Sequence, residues 1–295
     1  MNKQKSIVWL MMAPLLLALF MLTGCAAKTA PFWGDPQTGL ILQYRMPEGQ
    51  KLTYDSWDKA HQVSEMMGMA IEVDIDSTNS FTVQSKGAEE DKNLLTITIN
   101  DMSFKIQSPQ ANLEPDMSQV IGKSFDMTLS HLGEESELKG AEEITYEMGP
   151  EGTRSIASTF KHIFPDLAGR PLKIGDTWKD ETTINEKAGN GETVIRISEE
   201  NTLDGFEVID GMDCVRILSR YTGTIEGKGE QQGIETISTG DIRGTSTWYF
   251  AYKEGIFVKH INKGTAEGKV DVPSQGLEIP FTRDTTSEIS LKKTN

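Results

Sequence analysis

Cysteine, histidine and long apolar runs are all scarce in this chain, and each scarcity removes a class of function. Two cysteines, Cys25 and Cys214, in 295 residues cannot build a disulfide framework. Four histidines, His61, His131, His162 and His260, stand far apart with no close-spaced pair, so no zinc motif can be written from them. Each reads as a surface or capping histidine. No Gly-x-Ser-x-Gly elbow occurs, and nucleophilic hydrolysis has no other signature here. Bases are outnumbered by acids, 29 to 44, for a net charge of −15, which argues against nucleic acid and against electrostatic docking on anionic lipid. The longest apolar run, Ile7 to Leu22 with Pro14 inside it, falls short of the roughly 20 residues that span a bilayer.

That run is flanked by Lys3 and Lys5 on one side and by Leu22-Thr23-Gly24-Cys25 on the other. Charged segment, apolar segment and small-residue cleavage site form the layout of a processed export signal. The last four residues resemble the lipobox of bacterial lipoproteins, in which the peptidase cuts before the cysteine. The resemblance implies that residues 1–24 are removed and that Cys25 takes a thioether to diacylglycerol and an acyl group on its freed amine. Two or three chains, at about 0.8 kcal/mol per buried methylene, give stable anchoring. The expected partner is therefore the membrane, through lipid on Cys25. Ala26 stands where an Asp would mark inner-membrane retention, so the resemblance favours the outer membrane if the cell is Gram-negative. Cleavage takes Lys3 and Lys5 and no acid, leaving 27 bases, 44 acids and a net charge of −17.

With Cys25 reserved for lipid, Cys214 has no partner. It alternates like a strand residue in Met212-Asp213-Cys214-Val215-Arg216-Ile217-Leu218 and is expected to be a buried, inert thiol. Residues 25–39, with two prolines and two glycines beyond Cys25, read as a tether. In it, Phe32 and Trp33 fit either a membrane interface or a cap on the folded part.

From Leu40 onward the period is two, clearest in Leu95–Ile99, Val194–Ile197 and Thr245–Tyr252; β-branched and aromatic residues fill these runs. Asp204-Gly205, Asp210-Gly211, Lys253-Glu254-Gly255 and Asn190-Gly191 read as tight reversals. The chain is thus expected to be mainly β, with antiparallel sheets forming an open or partial barrel or a sandwich. One amphipathic helix is predicted over Ser155–Phe164, where Ile156, Phe160, Ile163 and Phe164 share a face between Gly152-Thr153 and the stop at Pro165. It divides two β-rich halves, 40–150 and 151–295. Glu48-Gly49-Gln50-Lys51-Leu52-Thr53-Tyr54 and Ile174-Gly175-Asp176-Thr177-Trp178 open the two halves alike.

A wider resemblance rests on Gly122–Leu129, Leu132-Gly133-Glu134-Glu135, Phe164-Pro165, Gly175-Asp176-Thr177-Trp178, and the late hairpin from Trp248-Tyr249-Phe250 to Gly255-Ile256-Phe257-Val258. Together these are similar to a family of uncharacterised exported β-rich bacterial proteins, many of them lipoproteins. The likeness implies a compartment and a fold class, and no catalytic residue.

Other motifs fail on their own terms. Asp74–Asn79 has the acidic spacing of a calcium loop, but Asn79 replaces the required Gly and Ser85 the closing Glu, leaving a polar turn as the expectation. Gly227–Gly233 lacks the strand-to-helix context of a phosphate loop and fits a hairpin tip or a bend in a long strand. Acids are so numerous that closeness of two in space proves nothing, although a glycosidase would need such a pair across a cleft. Met66, Met67 and Met69, with Met46, Met102, Met117, Met127 and Met148, suit an ordinary core, or else a cavity for variable apolar cargo. No cofactor, metal or catalytic residue is expected. The leading expectation is a non-catalytic binding or interaction scaffold tethered in the envelope. Next come a carrier of an apolar ligand in a half-open barrel and, last, an envelope hydrolase.

Overall fold

The alternation read from the sequence runs much further along the chain than ordinary strands do. The computed structural model describes residues 31–109, 112–149, 152–188, 191–231 and 233–294. A short pair, β1 (Gly34–Asp35) and β2 (Gly39–Leu40), precedes β3 (Lys51–Met66), β4 (Met69–Glu89), β5 (Lys92–Gln107), β6 (Asn112–Leu113), β7 (Ser124–Ser130) and β8 (Glu135–Lys139). A second small pair, β9 (Thr145–Glu147) and β10 (Thr153–Ser155), leads to β11 (Thr177–Ala188), β12 (Gly191–Ile209), β13 (Met212–Gln231), β14 (Ile234–Ala251), β15 (Ile256–Val272) and β16 (Leu277–Thr294). The 21 residues of β4 reach up to about 70 Å at roughly 3.3 Å per residue.

Every pairing is antiparallel, and the order β11-β12-β13-β14-β15-β16-β3-β4-β5-β7-β8, with β6 on β5, makes one 12-stranded sheet that does not close. Two-residue reversals at Met67-Gly68 and Asp210-Gly211 have positive φ at both positions, as primed hairpin turns require. Lys253–Gly255 also turns between strands as expected, whereas Asp204-Gly205 does not. There β12 shifts register against β13 between Leu203 and Gly205, a bulge inside a continuing strand. Asn190 lies outside the described residues. Asp74–Asn79, expected as a polar turn, sits in mid-β4, paired on both sides.

One sheet face is covered at one end only. Leu52, Tyr54, Phe81, Val83, Leu95, Ile97, Ile99, Val215, Ile217, Phe250 and Phe257 are buried there beneath segments 40–46, 117–123 and 141–172. Tyr54 stacks between Phe81 and Phe257 at 5.5 and 5.9 Å, and Phe164 meets Tyr44, Tyr54 and Phe257 edge-on. A strap, Leu40–Met46, crosses this end without joining the ladder. Its backbone groups therefore need other partners. Leu172 exchanges bonds with Leu40, the Tyr44 N–H donates to His131 O, and the Arg45 N–H donates to Gly255 O. Buried Asn93 serves Met46 N and Tyr44 O, while buried Ser85 donates to Met46 O at 2.7 Å. The Trp33 side chain packs against the same core, which favours the cap over the interface for that residue.

The predicted helix over Ser155–Phe164 is absent. Ser155 ends β10, Ala157–Phe160 form one 3-10 turn without a side-chain cap, and Lys161 is already extended. The apolar spacing is real but serves tertiary packing: Phe160 meets Phe81 and Phe125 edge-on at 5.3 and 5.1 Å. A ten-residue segment is too short to hold a helix on propensity alone, and these ring contacts fix another path. The segment's Ile156 N–H donates instead to Ile144 O.

The opposite sheet face carries charge ladders, including Lys59–Asp76, Arg196–Glu226, Arg243–Glu267 and Lys269–Glu278. A lipid-facing barrel band would have to bury such groups at about 2–4 kcal/mol for each Lys or Arg at the midplane. This face is built for water, the reverse of a barrel that spans a membrane with its outside.

Candidate functional site

Beyond the covered end, the core-side face continues as cross-strand rows that the register fixes. The last filled row runs Leu203, Ile217, Trp248, His260, Ile289, Ser56, Asn79, Met102. The next row is polar across most of the sheet, Trp178, Asn201, Ser219, Ser246, Asn262, Ser287, Asp58 and Ser77 from β11 to β4, before Phe104 on β5. It is followed by Asp180, Glu199, Tyr221, Gly244, Gly264, Thr285, Ala60, Ile75. The row after that mixes Ile197, Ile242, Ala266 and Val73 with Thr182, Gly223, Arg283 and Gln62, and the next carries Ile184, Ile195, Ile225, Phe281 and Ile71 with Gly240, Gly268 and Ser64; the apolar residues of both rows are partly exposed. A polar belt thus separates a filled core from an open apolar trough on one continuous face.

Glycines on β14 and β15 make room for rings of the same face, Tyr221 over Gly244 and Gly264 and Phe281 over Gly268. At Gly244 a Cβ would lie 2.3 Å from the Tyr221 ring and 2.5 Å from Lys263 O. The Tyr221 ring lies over the glycine surface, and its hydroxyl donates to Asn262 Oδ1 at 3.0 Å.

Within the belt the donors point one way. Trp248 Nε1 donates to Ser219 Oγ at 3.1 Å, Ser219 donates to Asn201 Oδ1, and Asn201 Nδ2 donates to Asp180 Oδ2 at 2.7 Å. Burial pushes the Asp180 carboxyl up, with the nearby Trp178 indole and Asn201 amide pulling the other way. Glu199 is raised mainly by burial and further by Asp180 and Asp166, against the hydroxyls of Ser219 and Ser246. Asp166, on the covering segment, is pushed up to about 6 by burial and by Asp180 and Glu134. Across the trough, Asp58 is also raised by burial, but there Arg283 opposes the rise. Among the described residues no ion pair includes Asp166, Asp180 or Glu199.

Neither the carboxylates nor the belt were singled out from sequence. A signal existed: Glu199 alternates in phase with Ile195 and Ile197, and Asp180 with Trp178 and Ile184, so each places an acid where a core residue is due. The residue that was singled out, Cys25, lies outside the described residues. Cys214 is buried, its Sγ 3.6 Å from Met212 O, and burial pushes its thiol up to about 12, as an inert thiol requires. It borders a notch of about 310 Å³ at the covered end, with Pro36, Phe206, Val208 and Tyr252.

The histidines do not converge. His61 pairs with Asp74 at 2.8 Å on the charged face, whereas His260 faces inward beside Trp248 and is pushed down to about 4 by burial. His260 is therefore neither a surface nor a capping residue. Gly227 and Gly229 lie in β13 and Gly233 in the following turn, the end of a long hairpin. Met46, Met102, Met117, Met127 and Met148 are core residues, but Met67 and Met69 are 81% and 63% exposed at the β3–β4 tip, so the core expectation fails for these two.

No protein-family model and no curated protein matches the sequence. Solved structures similar to this chain include an outer membrane channel from Pseudomonas putida F1, at 7% identity and TM-score 0.31, over 84% of this chain and 97% of that one. A Bacteroides fragilis protein with a YmcC-like fold matches at 8% identity and TM-score 0.26, over 86% and 99%. Neisserial surface protein A matches at 7% and 0.22, over 81% and 96%. Likeness at this level carries no function from those proteins to this one.

Proposed function

We propose that this chain is an envelope lipoprotein, exported by residues 1–24 and anchored through lipid on Cys25, whose open sheet face holds the hydrocarbon chain of an apolar ligand. One observation carries the reading. The face that buries aromatic rings at its covered end continues, past a polar belt, into isoleucine-bearing rows that no segment among the described residues buries. Leaving such surface in water forgoes about 25 cal/mol for every Å², and a hydrocarbon chain lying along the isoleucines recovers that energy. The reading needs binding alone and no chemical step.

The trough is tested by photolabelling the full chain in its own membranes with a 12-carbon alcohol bearing a diazirine at the chain end. Adducts are expected on β12–β14 and are expected to fall at least fivefold in the Ile195→Glu/Ile225→Glu variant. Adducts confined to the charged face, or unchanged in the variant, overturn the reading. The anchor is tested separately by Cys25→Ala, which is expected to abolish acyl labelling and release the chain from the membrane fraction. Retention in the membrane, with no label on the wild type, overturns it.

A second reading, a scaffold that grips a protein partner, draws on the exposed Met67 and Met69 at one hairpin tip, since methionine adapts to varied partners. Met67→Ser/Met69→Ser separates the two: the carrier keeps its trough labelling, whereas a scaffold loses its partner.

A further inference from the structure

One cation stands in the open part of the sheet face, and no carboxylate among the described residues pairs with it. The three rows beyond the belt hold a single basic side chain, Arg283 on β16, set between Ala266 and Gln62. The position is in phase with Ile279 and Phe281, where another apolar residue would continue the pattern. Cations on the charged face have acids close by, Lys59 with Asp76 at 3.5 Å and Lys269 with Glu278 at 2.6 Å. Among the described residues no ion pair and no hydrogen bond includes Arg283.

A second observation is the state of the guanidinium itself. Its Nε is enclosed and has no hydrogen-bond partner, so the group has lost part of its hydration without gaining an acceptor. Burial raises the carboxyl of Asp58, in the belt on β3, and Arg283 opposes that rise from outside ion-pair range. Asp58 is therefore a weak counter-ion. The terminal amines of Arg283, on a half-buried side chain, are left to solvent or to a ligand. A partly dried guanidinium without an acceptor is well placed to take a carboxylate, because charge-assisted pairs strengthen as water leaves.

Resting on the trough reading above, we infer that the ligand is a fatty acid whose carboxylate is held by Arg283. The acid is ionised at neutral pH, and the planar guanidinium takes both of its oxygens at once. From that head the chain crosses the strands over Ala266 and Ile242 towards Ile225. The path from β16 to β13 is three strand spacings, about 14 Å, which an extended 12-carbon chain covers. Asp180 and Glu199 stand five and four strands from Arg283, on β11 and β12, past the end of such a chain and away from its charged head. An alkyl amine would set a second cation against Arg283 and is disfavoured by the same placement.

The test uses the full chain in its membranes and three 12-carbon probes with the same terminal diazirine: the carboxylic acid, the alcohol and the primary amine. Adducts on β12–β14 are counted against the same probe's adducts on bulk membrane protein, which removes differences in partitioning. They are expected to be at least fivefold more abundant for the acid than for the alcohol, and least for the amine. In Arg283→Gln the ratio of acid to alcohol is expected to fall to about one, a readout that partial loss of folded chain does not move. Arg283→Lys, which keeps the charge without the fork, is expected to hold that ratio at twofold or more. Equal labelling of the wild type by acid and alcohol overturns the head-group inference and leaves the trough standing. So does an unchanged ratio in Arg283→Gln. Adducts from none of the probes overturn both readings together.

Discussion

The two ends of the sheet share one face and solve opposite problems. At the covered end, rings from Tyr54, Phe81, Phe160, Phe164 and Phe257 meet one another within 6.5 Å, and even the strap backbone has its partners. At the open end the same face sets partly exposed isoleucines among glycines and polar residues such as Arg283 and Gln62, with two carboxylates placed where the filling stops. The covered end supplies stability, and the open end keeps surface that stability alone would have filled. Proteins give up packing in this way where a partner is to be received.

The contrast can be broken most sharply by truncation. Phe160→Ala is expected to lower stability by about 3–5 kcal/mol, the usual cost of removing a buried aromatic side chain, seen as a lower urea midpoint at unchanged slope. Next comes the pH dependence of the covered end. Glu135 accepts from the Phe164 N–H at 2.9 Å, and burial pushes its carboxyl up to about 7 from an ordinary 4.5. Folding therefore favours the protonated form, so this group's contribution is intact below about 4.5 and is lost as pH rises to about 7. Glu135→Gln is expected to gain on the wild type across that window by on the order of 2 kcal/mol, measured as the difference between their unfolding free energies at pH 5 and 8. Gly244→Ala pushes a methyl against the Tyr221 ring and Lys263 O, and is expected to cost about 1–3 kcal/mol as overpacking does. The smallest effect belongs to the trough. Ile225→Ala is expected to cost about 1 kcal/mol or less while reducing trough labelling, and a cost like that of Phe160→Ala would mean that the open end is a core after all.

How much of this could be read from sequence follows from what each feature depends on. The strands were legible because period two is a property of one segment, as in Leu95–Ile99. Asp210-Gly211 was legible as a turn for the same local reason. The identical dipeptide chemistry at Asp204-Gly205 became a bulge because β13 continues alongside it, a fact no local window contains. The helix over Ser155–Phe164 failed because its apolar spacing answers to Phe81 and Phe125, more than thirty residues away. The belt lay furthest from view. Its eight residues come from eight strands, and they meet only after seven registers are set. What sequence could have offered was the phase error of Glu199 and Asp180, acids in step with isoleucine and tryptophan.

The pairing of β16 with β3 joins residues 51–66 to 277–294. A chain delivered from its N-terminus therefore holds one edge of β3 unpaired, rich in free N–H and C=O groups, until the 18 residues of β16 have arrived. Such edges recruit foreign strands, and contacts this distant in sequence form slowly. The seam makes completion of the sheet wait on β16, and a chain without that strand leaves the trough with a second open flank.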